Sequence, residues 1–225
     1  MQEVIAMSQH TCYIIGAAGL GGAVPRPQPG DYVIAADGGY AALEALGVTP
    51  DFVMGDFDSL GHAPEHPNVE THPAMKDDTD MMLAVRWALA HGYRRLALYG
   101  GLGGARLDHT VANLQTLRYI ADHGALGWLV GGGWVVTAIR NGALRFGADA
   151  AGFVSVFCSG DTARGVTLRG LKYELEDAAL TCDMPLGVSN EFTGRPALVR
   201  VAEGCVFVLW QGEAAPEEAD DAGLD

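Results

Sequence analysis

The stretch FVMGDFDS, Phe52 to Ser59, decides how the rest of this chain reads. Phe52, Val53 and Met54 have the composition of the end of a buried strand, and Gly55 is where backbone can come close to a ligand. Asp56 and Asp58 then follow at the strand's carboxyl end, where open α/β sheets bind their ligands. Two carboxylates that close repel unless a cation or a proton lies between them. A magnesium ion carrying phosphates suits such a place, because it takes hard oxygen ligands and usually only one or two protein carboxylates. The same residues also suit a plain strand-to-loop turn, with Asp and Ser as turn formers. The surrounding chain has to decide between these.

On either side of this stretch, strand and helix patterns alternate. Thr11 to Ile15, Tyr32 to Ala36 and Leu96 to Tyr99 are short apolar runs that predict strands. Gly38 to Leu46, Thr79 to His91 and Leu107 to His123 have helical spacing; in the second, Met82, Val85 and Leu89 recur at three and four residues. Strands alternating with helices predict a parallel sheet with helices on its faces, a Rossmann-like α/β domain over residues 1–137. Beyond it, Ala143 to Phe146, Gly152 to Phe157, Gly165 to Leu168, Tyr173 to Leu175, Val188 to Phe192, Ala197 to Val201 and Cys205 to Trp210 are short β-rich runs separated by turn residues. They predict a smaller all-β sandwich domain over 138–212.

Composition excludes several classes. The formal charge of −14 argues against a nucleic-acid partner, which requires a basic face. Six of those charges lie after Gln211, in a stretch with no basic residue, so 213–225 reads as a disordered acidic tail. No apolar run is long enough to cross a bilayer, and the first residues lack the pattern of a signal peptide. The four cysteines form no CxxC pair, as expected of buried thiols in a reducing cytoplasm. His62 and His66 are separated by Pro64, which argues against a helical metal-binding pair.

Three further runs carry polar chemistry. In KDDTD, Lys76 to Asp80, either Asp77 or Asp78 suits the N-cap of the helix that follows. Capping needs one oxygen, however, and three carboxylates and Thr79 crowd this helix start; Asp80 is the candidate third carboxylate of a metal site. In GGLGGARLDH, Gly100 to His109, four glycines in five residues free backbone N–H groups to form an anion-binding concavity, and Arg106 adds a planar donor fork suited to phosphate. Asp108 suits either a helix cap or the metal. Neither this loop nor GAAGLGG, Gly16 to Gly22, matches a P-loop, and prolines after the earlier loop rule out the dinucleotide fingerprint. In the β-rich half, GLKY (Gly170 to Tyr173) and GVSNE (Gly187 to Glu191) read as turns with polar groups beside a strand.

In this order, the runs resemble the thiamine pyrophosphokinase family. The matching series is ADGG (Ala36 to Gly39), Pro50-Asp51, GDFDS, DDTD (Asp77 to Asp80), GGxxGARLDH with Asn113 downstream, GLKY and GVSNE. The resemblance implies transfer of the pyrophosphoryl group of ATP, the co-substrate, to the hydroxyl of thiamine with Mg2+, giving thiamine diphosphate and AMP. It implies that Asp56, Asp58 and Asp80 form the magnesium and phosphate centre. Asp37, Asp77, Thr79, Arg106 and Asn113 would be ATP or phosphate contacts, with Asp108 at the catalytic centre. The hydroxyl proton would pass to Asp80 or Asp108. Ser189 and Asn190 would face thiamine, and an aromatic among Tyr173, Phe192, Phe207 and Trp210 would stack on it. It also implies a cytoplasmic homodimer with active sites at the subunit interface.

Overall fold

A computed structural model describes residues 10–57, 64–73 and 77–219. The chain divides into two compact units, Met1–Gly133 and Trp134–Asp225. No helix of the described residues is long and apolar enough to cross a membrane.

The first unit is a six-stranded parallel sheet of β1 (Thr11–Ile15), β2 (Tyr32–Ala36), β3 (Phe52–Gly55), β4 (Val69–Thr71), β5 (Arg95–Tyr99) and β6 (Leu126–Gly131). Their spatial order is β4-β3-β2-β1-β5-β6. The chain therefore steps outward from β1 to β4, returns to the other side of β1 with β5, and steps outward again. That reversal opens a crevice at the carboxyl ends of β1 and β5. Consecutive strand residues, such as Val33 to Ala36 and Leu96 to Leu98, are all buried, as required of strands covered on both faces. Helices α1 (Gly39–Leu46), α2 (Asp80–Ala90) and α3 (Leu107–Asp122) provide the cover. They bury Leu43, Ala84, Val85, Ala88, Leu117 and Ile120. Burial of each large side chain contributes roughly 1.5–3 kcal/mol.

The cap of α2 differs from expectation. Thr79, not Asp77 or Asp78, is the N-cap, its Oγ1 accepting the Met82 N–H at 3.1 Å. Thr79 has the extended backbone a cap needs, leaving Asp80 as the first helical residue, where its charge favours the helix dipole. Strands β4 and β6 were also not foreseen. β4 has only three residues, too few for a pattern. β6 is buried throughout and adjoins a run of glycines, so it reads as a boundary rather than as an alternating strand.

The second unit has no helix among its described residues. It consists of β7 (Trp134–Phe146), β8 (Phe153–Cys158), β9 (Thr162–Arg169), β10 (Leu175–Thr181), β11 (Gly187–Glu191), β12 (Ala197–Gln211) and β13 (Glu217–Glu218), all paired antiparallel within the unit. The two strands expected between Ala197 and Trp210 are one long strand. β12 pairs with β7 along its length, with β9 through its first half and with β8 through its second. Its register against β7 shifts between Val201 and Cys205, the bend at which it changes partner. Asn141, at φ 48, makes the matching corner in β7, and its Oδ1 accepts the Gly204 N–H at 2.9 Å. β7 starts earlier than expected because the apolar run from Trp134 to Ile139 continues into it. β10 begins at Leu175, the last residue of the expected Tyr173 to Leu175 strand, and runs on to Thr181; its Glu176 and Asp177 suit an exposed edge. Within the expected disordered tail, Glu217 and Glu218 pair with Arg145 and Leu144, and Pro216 is buried.

Candidate active site

Close backbone contact assembles the site at the carboxyl ends of β1, β2, β3 and β5. The Gly16 N–H donates to Tyr99 O at 2.8 Å and the Ala18 N–H to Gly100 O at 2.9 Å, tying the ends of β1 and β5 together. Gly100 sits at φ +63, and a Cβ there would collide with the Gly16 carbonyl oxygen. A Cβ on Gly55 would lie 2.9 Å from Asp37 Cα, so that glycine lets the ends of β2 and β3 abut. The Asp37 N–H completes the join by donating to Met54 O at 2.8 Å.

These contacts leave a cavity of about 260 Å³. Asp37 enters it from the end of β2, Asp56 from the end of β3, and Asp78, Thr79 and Asp80 from the start of α2. His109 and Asn113 line it from α3. Both residues that follow these strand ends are unusual. Asp37 has φ 48, a left-handed conformation that Asp tolerates better than most residues. Buried Phe57, at φ 54, is a bulky residue in the same region, so backbone strain lies directly beside Asp56.

The sequence-derived candidates thus divide. Asp37, Asp56, Thr79, Asp80 and Asn113 come together at one cavity, although Asp37 and Asn113 are far apart in the chain. Asp58 lies outside the described residues. Asp77 is exposed and does not line the cavity. Arg106 and Asp108 also lie off it and bond each other: Arg106 Nε donates to Asp108 Oδ1 at 2.9 Å and Nη2 to Oδ2 at 2.7 Å. This fork holds the Asp108 carboxyl down at about 2 and pushes the Arg106 guanidinium up. Asn113 is buried, and its Nδ2 donates to Gly101 O at 2.8 Å, fixing the glycine-rich loop. Among the polar lining residues, His109 is the one that sequence reasoning did not single out, and Asp78 was read only as a candidate helix cap. The signal for His109 was available, since it lies one helical turn before Asn113 and so shares its face. Asp78 also accepts a hydrogen bond from Arg86.

All the carboxylates at the cavity are hard oxygen donors. Among the described residues, no three His, Cys, Asp or Glu side chains stand close enough to enclose a metal by themselves. His66 has no such role: Nε2 donates to Pro50 O at 2.9 Å, leaving Nδ1 to accept the Asn68 N–H.

In the second unit, Asn190 is buried and fully engaged with backbone. Its Oδ1 accepts the N–H groups of Tyr173 and Glu191, both at 2.9 Å, and its Nδ2 donates to Tyr173 O at 2.6 Å. It therefore pins Tyr173 on both sides. Tyr173 is 59% exposed, whereas Phe192 and Phe207 are half-buried and Trp210 is buried. Lys172 Nζ donates to Glu191 Oε1 at 2.6 Å and lies 5.5 Å from the Tyr173 ring centre. Ser189, at φ 57, is exposed, and its backbone N–H donates to Ser155 Oγ at 3.0 Å.

Comparison with known families matches residues 28–126 to the thiamin pyrophosphokinase catalytic domain and residues 146–206 to the thiamin pyrophosphokinase vitamin B1 binding domain. The chain belongs to the thiamine pyrophosphokinase family. The catalytic-domain match contains every carboxylate at the cavity, and the B1-binding match contains Tyr173, Ser189 and Asn190. The chain is 26% identical over 192 residues to the thiamine pyrophosphokinase of Bacillus subtilis, covering 78% of this chain and 85% of that protein. It is 25% identical over 173 residues to thiamin pyrophosphokinase 1 of Caenorhabditis elegans, covering 71% and 70%. Its fold is similar to the crystal structure of the B. subtilis enzyme, with a TM-score of 0.79 and 23% identity over 91% of this chain and all of that one. It is also similar to thiamin pyrophosphokinase from Geobacillus thermodenitrificans, with a TM-score of 0.74 and 26% identity over 95% of this chain and all of that one.

Proposed function

We propose that this chain transfers the pyrophosphoryl group of ATP to the hydroxyl of thiamine, forming thiamine diphosphate and AMP. The observation that carries the reading is the convergence of Asp37, Asp56 and Asp80, from three segments of a family-matched catalytic domain, on one cavity at a sheet crevice. The same reversal of strand order supports the Rossmann-like description of this unit. In the reaction, the thiamine hydroxyl oxygen bonds to the β-phosphorus. The bond from that phosphorus to the oxygen it shares with the α-phosphorus breaks, and AMP leaves with the electron pair. The hydroxyl proton passes to a carboxylate, for which we favour Asp80 over Asp108. Asp80 lines the cavity, whereas Asp108 has both oxygens occupied by Arg106 and is a weak base with its carboxyl at about 2. The rest is positioning and charge neutralisation, and no nucleophilic Ser or Cys is required.

Asp56 and Asp80, with Asp58 beside them in sequence, would hold magnesium, which when bound supplies neutralisation of phosphate charge. On the acceptor side, Tyr173 is the candidate platform for the cationic thiazolium or its neighbouring ring, because it is the exposed one of the four candidate aromatics and its backbone is pinned. Asn190 positions that platform, and Ser189 is free at its side chain to contact the substrate.

We infer a homodimer with active sites at the subunit interface. Exposed Met184, Leu186 and Val188 in the B1-binding half support an interface there. Free cysteines in every described position suit a reducing cytoplasm.

The test is chromatography of the nucleotide products from Mg-ATP with thiamine and with a panel of other heterocyclic alcohols. Thiamine-dependent AMP in equal amount to thiamine diphosphate is expected. ADP in place of AMP would overturn the mechanism, and AMP with a different acceptor only would overturn the substrate.

A further inference from the structure

His109 has no role in the account so far, yet it lines the cavity. The other charged side chains there are the carboxylates Asp37, Asp56, Asp78 and Asp80, none of which can donate a hydrogen bond when ionised. Two arginines border this region, Arg86 paired with the lining residue Asp78 and Arg106 with Asp108, and neither itself lines the cavity. Among the described lining residues, His109 is thus the side chain able to offer a ring N–H, and in its protonated form a positive charge, to an anion. An imidazole donates at least one N–H in either charge state, so this does not depend on its titration.

The local geometry explains why His109, itself solvent-exposed, lines the cavity while its neighbour does not. Successive helical residues point about 100° apart. Bidentate pairing with Arg106 holds Asp108 on the outside of the first turn of α3. His109 follows it and shares the cavity side with Asn113, one turn on. It belongs to the first turn of α3, whose leading N–H groups have no intrahelical partner and favour an anion.

We propose that His109 contacts the phosphate chain of the nucleotide, donating to an oxygen of the β- or γ-phosphate. This deepens the pyrophosphokinase reading and rests on it for the identity of the anion. The residue would act by binding and orienting the group that is transferred.

The test separates this role from the overall reaction by measuring equilibrium binding without turnover. The full chain and its His109→Ala and His109→Gln variants are titrated, with Mg2+, with α,β-methylene-ATP and separately with AMP. The expected result is that His109→Ala weakens α,β-methylene-ATP by about ten- to a hundredfold, the size of one hydrogen bond to a charged group. AMP, which lacks both outer phosphates, changes less than twofold. His109→Gln, which keeps an N–H donor, recovers part of the loss. In steady-state assays the KM for ATP rises while the KM for thiamine stays put. Equal weakening of AMP and α,β-methylene-ATP, or no change in either, would overturn the proposal. Should His109→Ala not fold, unchanged binding in His109→Phe, which keeps a ring but has no N–H, would overturn it equally. If the parent chain binds the analogue but makes no AMP with thiamine, the pyrophosphokinase reading fails while the binding comparison still decides His109.

Discussion

At Arg106 and Asp108, two charges that each suited the phosphates face each other instead. The pair is fully exposed, so it adds little to stability, but it sets the ionisation of Asp108 and the direction of the helix start. Because the carboxyl is held low in the folded chain, the pairing is fully present above the ordinary carboxylate pKa. It is lost as pH falls towards about 2. An NMR titration of Asp108 should give a midpoint near 2, and Arg106→Ala should return it to about 3.9, the unperturbed value. A midpoint unmoved by the substitution would show that the fork does not control this group. Asn190 makes the converse point. Expected at the thiamine site, it makes three bonds to backbone, and Asn190→Ala should lower stability by about 1–3 kcal/mol and raise the KM for thiamine through Tyr173. A raised KM for ATP with an unchanged one for thiamine would contradict that placement. The residue types at both places were legible in the sequence. Which partner each side chain chooses was not, because Arg106 has a carboxylate two residues away as well as a phosphate to reach for.

Thr79 and Gly100 carry the elements that deliver the site. Thr79→Ala removes the cap of α2 and should cost about 1 kcal/mol, read as a lowered denaturation midpoint with an unchanged m-value. An unchanged midpoint would mean that another group caps the helix. Gly100→Ala sets a methyl against the Gly16 carbonyl at a positive φ, so it should be far more destabilising and should reduce activity along with stability. At this scale the sequence was most readable where periodicity was strong. The three helices and strands β1, β2, β3 and β5 lie close to their expected spans because Met82, Val85, Leu89 and the buried runs leave one solution. It was least readable where an element is short, edge-placed or bent. β4 has too few residues to show a period, β10 is polar because it is an edge, and β12 hides one strand as two because its bulge at Glu203 and Gly204 looks like a turn.

The whole molecule converts separate motifs into one site by strand order. Asp37, Asp56, Asp80 and Asn113 are spread over most of the first unit, and the reversal between β1 and β5 brings their strand ends and helix starts to one crevice. Motif order alone pointed to the family, but it could not show that Arg106 and Asp108 stand off the cavity or that His109 stands on it. The fold also sorts the thiols. Cys12 and Cys205 are buried and burial pushes the Cys12 thiol up, while Cys182 is exposed. Native protein should therefore show Cys182 reacting fastest with Ellman's reagent, a phase lost in Cys182→Ser, then half-buried Cys158, with Cys12 and Cys205 reacting only on unfolding. The most direct test of the central claim is AMP release from Mg-ATP, with and without thiamine, in the parent chain and in Asp56→Asn. The account predicts AMP formation that requires thiamine and falls by at least about a hundredfold in the variant. Thiamine-dependent AMP at an undiminished rate in Asp56→Asn would contradict the assignment of the carboxylate cavity as the site of the reaction.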